Sequence, residues 1–152
     1  MQVKDIMKRE VVTVSGDTPI LDVAKLLVTC KIHAVPVVDE QQKVLGIVTE
    51  TDFFLKNSMA LHLPTYMEMA KQWAEHSSGA WESIPQIRAF MNATAKDVMT
   101  ENCMTLPEVT DVRDMLASVR VDHHKTFPVT DYQGTLIGIV SLIDVVTAFD
   151  KI

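Results

Sequence analysis

The sequence lacks the features that place a protein in a membrane, on nucleic acid or in the secretory route. Its uninterrupted apolar runs are only a few residues long, whereas a helix that spans a bilayer needs about 20 apolar residues. The formal net charge is −6 and no run of Lys or Arg occurs, so the basic field that drives non-specific binding to nucleic acid is missing. The N-terminal residues contain no apolar stretch typical of a signal peptide. We therefore expect a cytoplasmic protein that binds neither membrane nor nucleic acid.

Motifs of catalysis and metal binding are also missing. The two cysteines, Cys30 and Cys103, lie far apart without the short spacing of a metal site, and we expect both thiols to be reduced. The chain has only five glycines, and they form no Gly-rich loop of the kind that binds phosphate. The serines and threonines occupy predicted caps and turns, and no nucleophile has a matching base. We therefore expect no catalytic residue, no required cofactor and no metal site.

The sequence does contain an internal repeat. When the chain is shifted by 92 positions, residues 3–54 align with residues 95–146 without a gap, with 14 identities in 52 pairs. About three identities would arise by chance at average composition. The repeated segments include VKDIM and AKDVM near the starts of the two copies, and GIVTETD and GIVSLID near their ends. The chain is therefore predicted to contain two copies of one structural unit.

Each copy is predicted to fold as β-α-β-β-α. From Ile20 onwards, apolar residues recur at i, i+3, i+4 and i+7, the pattern of an amphipathic helix, and the second copy repeats this phase. Thr18 precedes the first helix and is predicted to cap it. The predicted β-runs are 11–14, 34–38 and 44–49 in the first copy and 103–106, 127–130 and 136–141 in the second; the closing helices are 50–57 and 142–149.

The two units are expected to pack against each other. A unit of about 55 residues buries too little apolar surface to be stable alone, so we expect the two sheets to pack together about a pseudo-twofold axis. The predicted fold class is α/β (α+β), with one repeat over 1–57 and the other over 93–152. The segment 58–92 contains capping-box patterns at two predicted helix starts. We predict that it is a helical insertion that packs on the main body or on a partner subunit.

The motif that ends each copy has two interpretations. Thr49 and Ser141 follow a predicted strand and precede a helix, and Asp52 and Asp144 lie three residues further on. The first interpretation is a capping box, which satisfies free N–H groups at a helix start and requires no ligand. The second is a nucleotide site, in which the N–H groups and the hydroxyl bind phosphate while the carboxylate accepts hydrogen bonds from ribose. The glycine three positions before each hydroxyl leaves room for a flat base or for a neighbouring backbone.

Taken together, the repeated segments resemble a tandem pair of cystathionine-β-synthase (CBS) domains, the arrangement known as a Bateman module. The resemblance covers about 1–57 and 93–151 and depends on KDIM and KDVM, on AVPVVD and FPVTD, and on the two closing motifs. It implies clefts between the copies that bind an adenosine-containing regulatory ligand: AMP, ADP, ATP, S-adenosylmethionine or NAD. We expect a free-standing sensor, present as a homodimer, whose ligand alters the surface shown to a protein target.

The resemblance also implies which residues contact the ligand. Asp52 and Asp144 would hold the ribose hydroxyls, and the hydroxyls of the same motifs would contact phosphate or its surroundings. The base and phosphate region would be lined by the residues around the two Pro-Val pairs: His33, Ala34, Val35 and Pro36 in the first copy, and Lys125, Thr126, Phe127 and Pro128 in the second. Adenine would be contacted through backbone groups near Thr13, Val14, Thr105 and Leu106.

The residues beside the Pro-Val pairs bear on the choice of ligand. His33 holds the position at which related nucleotide sensors place a phosphate-contacting histidine, and Lys125 offers a cation at the equivalent position. Those sensors often carry an Arg next, whereas this chain has Ala34 and Thr126. Because fewer positive charges are available to a phosphate chain, the sequence favours the monophosphate AMP or a ligand with less charge. The adjacent His123 and His124 fit the polar rim of the second cleft better than a metal site.

Two other functions stay open from the sequence. One is a structural interaction module, whose clefts are empty and whose repeats serve only dimerisation. The other is an enzyme that acts on a nucleotide through His33 and Asp52. Thermal unfolding in the presence of candidate ligands separates the sensor from the structural module, and turnover of a bound nucleotide would be needed for the enzyme.

Overall fold

The main helix and the β-hairpin of each copy follow the same order along the chain. The computed structural model describes residues 1–54, 88, 91–122 and 125–150. The helices are α1 (Ile20–Thr29), α2 (Ala95–Val98), α3 (Val112–Asp122) and α4 (Leu142–Phe149), with 3-10 helices over Val3–Asp5 and Glu50–Phe54. The strands are β1 (Ala34–Val38), β2 (Val44–Thr49), β3 (Thr100–Glu101), β4 (Leu106–Pro107), β5 (Thr126–Thr130) and β6 (Leu136–Ser141).

Among the described residues, the strands form two three-stranded sheets, in the orders β1-β2-β3 and β4-β5-β6. The antiparallel hairpin β1-β2 is repeated residue for residue by β5-β6, so that Ala34 lies opposite Thr49 and Thr126 lies opposite Ser141. An aspartate closes each hairpin turn, because Oδ1 of Asp39 and of its counterpart accepts two backbone N–H groups. The matching register places the end of each closing strand beside the start of its partner strand.

A pseudo-twofold axis relates the two copies, as the repeat predicts. Lys43 forms an antiparallel bridge with Thr135, which is its own counterpart at the repeat offset. A residue can pair with its own counterpart only close to an axis that exchanges the two copies. The starts of β2 and β6 therefore meet at this axis.

The first residues of each copy pack on the other copy. We name residues 1–9 the first leader and residues 93–101 the second leader. The Val3 N–H of the first leader donates to the Thr110 carbonyl of the second copy at 2.8 Å, and the second leader makes the equivalent bond to the first copy, also at 2.8 Å. Each copy is therefore completed by the leader of the other copy.

Each leader also adds an edge to the sheet of the other copy. The second leader contributes β3, in which Thr100 lies opposite Ile47 of β2. The first leader forms the equivalent bridge between Lys8 and Ile139 of β6, with an N–H···O bond of 2.9 Å in each direction. Lys8 and Thr100 therefore occupy equivalent places in the two halves of the molecule.

Two hydrophobic cores result from this exchange. The first combines α1 and the hairpin β1-β2 with Ala95 and Met99 of the second leader. The second combines α3 and the hairpin β5-β6 with Val3 and Met7 of the first leader. Val3 and Ala95 are fully buried, so removing either leader would open the core of the other copy to water.

Most of the predicted elements are confirmed, but the first β-run of each copy and the cap at Thr18 are not. The predicted apolar face of the first helix is buried from Ile20 onwards. The predicted strand 11–14 contributes a single parallel bridge to Val37, and its counterpart is reduced to the two residues of β4. Thr18 does not cap α1, because Pro19 occupies the N-cap position and the Thr18 hydroxyl lies 3.2 Å from that of Ser15. The Ile20 N–H donates to the Ala93 carbonyl of the second leader at 2.9 Å.

The closing helices and the insertion are described in part. Helix α4 spans the predicted range, 142–149, whereas the first copy has a 3-10 helix over Glu50–Phe54 in place of the start of an α-helix. The rest of the predicted helix 50–57 lies outside the described residues, as does the predicted insertion 58–92 except for residues 88, 91 and 92.

Candidate functional site

Both closing motifs form caps at the end of a strand. The backbone N–H and the hydroxyl of Thr49 donate to Oδ2 of Asp52 at 2.7 and 3.3 Å. In the second copy, the N–H and the hydroxyl of Ser141 donate to Oδ2 of Asp144 at 2.7 and 2.6 Å, and the pair forms the capping box of α4. The capping box is therefore confirmed in the second copy, and the first copy has the same two hydrogen bonds to its carboxylate at the start of a 3-10 helix.

Capping engages one oxygen of each carboxylate and leaves the other for a second partner. Oδ1 of Asp144 lies 3.1 Å from Nζ of Lys8, in an ion pair whose carboxylate side chain is 11% exposed and whose lysine side chain is 64% exposed. Oδ1 of Asp52 has no hydrogen-bond or ion-pair partner in the part of the chain that the structure describes. The two carboxylates are therefore capped alike but meet different neighbours.

A third capping box provides an internal reference for the two motifs. At the start of α2, the N–H and the hydroxyl of Thr94 donate to Oδ2 of Asp97 at 2.9 and 3.0 Å. The bond from the Thr94 backbone, followed by the bond from its hydroxyl, holds the pKa of Asp97 below its usual 3.8. This box has the same two bonds to its carboxylate as the closing motifs, and its Asp97 side chain is exposed, so it serves as a control for the effect of capping.

The glycines of the closing motifs face the leaders. A β-carbon added at Gly46 would lie 2.5 Å from the Thr100 carbonyl oxygen and 2.7 Å from Sδ of Met99. One added at Gly138 would lie 2.6 Å from Sδ of Met7. Of the two occupants predicted for this space, a flat base and a neighbouring chain, the structure contains the neighbouring chain.

His33 and Lys125 lie at equivalent positions beside the two motifs. The Glu50 N–H donates to the His33 carbonyl at 3.1 Å, and the Leu142 N–H donates to the Lys125 carbonyl at 3.0 Å. The exposed His33 places Nδ1 2.8 Å from Oε2 of Glu50, whereas Lys125 is exposed and has no acidic partner among the described residues. A phosphate beside His33 would therefore meet a carboxylate, and a phosphate beside Lys125 would not.

Most of the other residues predicted to line the base belong to the hydrophobic cores or to buried strands. The buried ones are Val14, Ala34, Val35, Pro36, Leu106, Phe127 and Pro128. Because these side chains point into packed surroundings, a ligand could meet them only through their backbone groups. Thr13, Thr105 and Thr126 are half-buried and keep part of their side chains at the surface.

The described ranges contain neither a metal-binding cluster nor a helix that could span a membrane. Within 1–54, 88, 91–122 and 125–150, no three His, Cys, Asp or Glu side chains are placed to hold a metal ion together. His123 and His124 lie outside these ranges. In the same part of the chain, no helix combines the length and the apolar content needed to cross a membrane.

Two residues beside the motifs, Lys8 and Glu50, were not predicted from the sequence. The signal was present at the repeat offset, where Lys8 corresponds to Thr100 and Glu50 corresponds to Leu142. A charged residue in one copy thus stands where the other copy has an uncharged one. Lys8 could not be assigned to Asp144 from the sequence, because only the exchange of leaders brings the two together.

Comparison with known proteins agrees with this geometry. The CBS domain family matches residues 3–56 and 95–151. Protein MJ1426 of Methanocaldococcus jannaschii is 28% identical over 97% of this chain and 90% of its own length. The CBS domain pair of protein MJ0100, solved with 5′-methylthioadenosine and S-adenosyl-L-methionine, has 25% identity and a TM-score of 0.69, covering 98% of this chain and 99% of that one. CBSX2 from Arabidopsis thaliana, solved with AMP, has 23% identity and a TM-score of 0.74, covering 99% and 97%. The chain belongs to the CBS domain family and consists of a pair of CBS domains.

Proposed function

We propose that this chain is a regulatory module that binds an adenosine-containing ligand through the closing motifs of its two CBS domains. The observation that carries the proposal is the fixed carboxylate in each motif, held at Oδ2 by the strand end before it. Oδ1 of Asp52 is free of partners among the described residues. A carboxylate whose rotamer is already fixed can accept hydrogen bonds from the vicinal hydroxyls of ribose at a small entropic cost.

The ligand class has support from a related pair. The MJ0100 pair was solved with two adenosyl ligands, S-adenosyl-L-methionine and 5′-methylthioadenosine. Within the described residues of this chain, His33 is paired with Glu50 and has no hydroxyl or thiol nucleophile bonded to it. We therefore propose binding, not turnover, with AMP or a less charged adenosyl compound as the ligand.

Regulation would follow from the exchange of leaders. The closing motif of each copy lies against the leader of the other, at Gly46 and Gly138. A ligand on a motif would favour the arrangement of the two copies that it fits best, and it can shift that equilibrium only as far as its affinities for the two arrangements differ. The surface altered in this way would be shown to a protein target.

Thermal unfolding tests the proposal directly. The full chain is heated with AMP, ADP, ATP, S-adenosylmethionine, NAD or no addition. A ligand at a hundredfold excess over its Kd adds about 2.7 kcal/mol to the free energy of unfolding, which raises Tm by several degrees. If none of these compounds moves the midpoint, the proposal is wrong and the structural-module alternative gains.

A matched pair of carboxylate variants tests the site. Asp52→Asn and Asp144→Asn keep an oxygen that can accept the capping bonds but remove the charge, and we expect each affinity that depends on ribose capture to fall about tenfold or more. Asp97→Asn changes a capping box with the same bonding and should leave ligand affinity unchanged. Equal affinities in wild type, Asp52→Asn and Asp144→Asn by calorimetry would contradict the site assignment even if binding is real.

A homodimer is the second part of the proposal, and the exposed face of α4 favours it. Ile143, Val146 and Phe149 recur at helical spacing along α4 and are each more than 60% exposed. An apolar stripe of this kind is typical of a surface that packs on another helix, and we propose a second copy of the chain as its partner. Val146→Glu should shift sedimentation towards the monomer, whereas Val109→Glu, at an equally exposed apolar residue elsewhere, should not.

A further inference from the structure

The two closing motifs are equivalent in backbone geometry but differ in the charges around them. We name Lys8, Lys125, Ser141 and Asp144 the Asp144 corner. Its counterpart, the Asp52 corner, consists of the residues at the repeat offset: Thr100, His33, Thr49 and Asp52. What differs between these corners is therefore set by side chains, not by the fold.

The backbone contacts establish the equivalence independently of the alignment. Lys8 bridges to Ile139 of β6 as Thr100 bridges to Ile47 of β2. The positions beside the two caps also match. The carbonyl of Lys125 accepts a hydrogen bond from the N–H of the residue that follows Ser141, and the carbonyl of His33 accepts one from the N–H of the residue that follows Thr49. Lys8 therefore lies beside Asp144, and the equivalent position in the other half of the molecule, beside Asp52, is occupied by a threonine.

The side chains give the two corners opposite charge. The Asp144 corner contains two lysines for one carboxylate, and Nζ of Lys8 lies 3.1 Å from Oδ1 of Asp144. In the Asp52 corner the residue after Thr49 is Glu50, whose carboxylate lies 2.8 Å from His33. A phosphate carries one to two negative charges at neutral pH, so it is attracted to the Asp144 corner and repelled by the carboxylates of the other.

The position of Lys8 adds a condition on the ligand. A ribose that takes Oδ1 of Asp144 must displace the Lys8 ammonium, which is mostly exposed and free to turn. Breaking this pair lowers the affinity of any ligand that takes Oδ1, because a carboxylate that is 11% exposed loses its charged partner. A nucleotide offers the displaced ammonium a new partner in its phosphate, whereas a nucleoside leaves it without one.

We propose that Lys8 makes the Asp144 corner selective for an adenosyl ligand that carries a 5′-phosphate, by exchanging its carboxylate partner for that phosphate when the ribose binds. This inference rests on the proposed adenosyl-binding function. It assigns to a residue of the first leader the choice between nucleotide and nucleoside. Because the backbone of Lys8 is held in the second sheet by two hydrogen bonds of 2.9 Å, a change of its side chain leaves the strand pairing intact.

The test compares AMP and adenosine binding to the full chain by calorimetry. Lys8→Thr installs the residue of the equivalent position, and Lys4→Thr removes another exposed lysine of the same leader as a control. In Lys8→Thr we expect AMP affinity to fall about ten- to a hundredfold, as for a lost charged hydrogen bond. Adenosine affinity should stay the same or rise, because Oδ1 of Asp144 is no longer paired with an ammonium that the ribose must displace. Lys4→Thr should bind both compounds as wild type does.

Salt dependence and folding complete the test. AMP affinity should fall more steeply with ionic strength in wild type than in Lys8→Thr, because one phosphate contact is lost in the variant. The inference would be overturned if Lys8→Thr lowered the affinities for AMP and adenosine equally while the unfolding midpoint stayed the same. It would also be overturned if the affinity for AMP did not change. Either result would leave the proposed function standing. If wild type binds none of AMP, adenosine, ADP, ATP, S-adenosylmethionine and NAD, the proposed function itself fails, and this inference with it.

Discussion

Gly46→Ala tests whether the second leader occupies the space beside the closing motif of the first copy. The backbone conformation of Gly46 is open to alanine, and reduced freedom of the unfolded chain would by itself stabilise the variant by about 0.4–1 kcal/mol. The added β-carbon, however, would lie 2.5 Å from the carbonyl oxygen of Thr100, a main-chain atom of β3 that cannot rotate away. Overpacking of this kind costs about 1–3 kcal/mol, so we expect a net destabilisation of about 1–2 kcal/mol.

Two other glycines provide the matched comparison. At Gly138 the close contact is with Sδ of Met7, the mobile part of a flexible side chain, and the nearest main-chain atom would lie at 3.1 Å. Gly138→Ala should therefore cost less than Gly46→Ala. At Gly16 the nearest atoms belong to the side chain of Lys96, at 3.4 Å or more, so Gly16→Ala should be neutral or slightly stabilising.

Urea unfolding followed by circular dichroism measures all three variants. The midpoints are compared at constant slope, so that a shift reports stability and not a change in the unfolded state. The expected order of stability is Gly16→Ala first, then Gly138→Ala, then Gly46→Ala. A Gly46→Ala chain as stable as wild type would show that the leader does not lie against this glycine, and the exchange of leaders would have to be abandoned.

Three further predictions concern a turn, the thiols and acid stability. Gln42 has a φ of 61° where the second copy has a glycine, so Gln42→Gly should raise the free energy of unfolding by about 0.5–1 kcal/mol; a loss of stability in urea would contradict this. Burial raises the pKa of the half-buried Cys103 thiol, so at about pH 8 the exposed Cys30 should react first with a thiol reagent, and Cys30→Ser should remove the fast phase. The depressed pKa of Asp97 means that its stabilising contribution is present above 3.8 and is lost as the pH falls towards its folded value; the stability difference between wild type and Asp97→Asn should therefore narrow below pH 3.8, and a constant difference would refute the assignment.

The elements that depend on near neighbours in the chain were predictable. The two hairpins, the buried face of α1 and the range of α4 all follow from short-range periodicity, and the structure has them as predicted. The caps at Thr49 and Ser141 were predictable for the same reason, since donor and acceptor are three residues apart. The first predicted β-run is not a strand in the structure, because it pairs with β1 through a single bridge and not through a ladder of hydrogen bonds.

The candidate site was predictable only in outline. The carboxylates Asp52 and Asp144 were identified from the closing motifs, but several of the residues expected to line the base turned out to be core residues. A strand buried on both faces, such as β1, gives no alternation of polar and apolar residues from which to tell an inward side chain from one that lines a cleft. Glu50, next to Thr49 in the chain, was missed because its contact with His33 depends on the hairpin register.

By itself, the sequence determined that the molecule has two copies of one unit, where their hairpins turn and which residues cap them, because these features depend on the repeat or on residues a few positions apart. Only the tertiary structure decided which copy each leader completes, that methionines cover the glycines of the closing motifs, and that Lys8 meets Asp144. A repeat specifies which surfaces are alike but not which copy supplies the partner of each surface. The choice depends on how the chain crosses between the copies. In this molecule the crossing places Lys8 beside Asp144, so that the two equivalent carboxylates have neighbours of different charge.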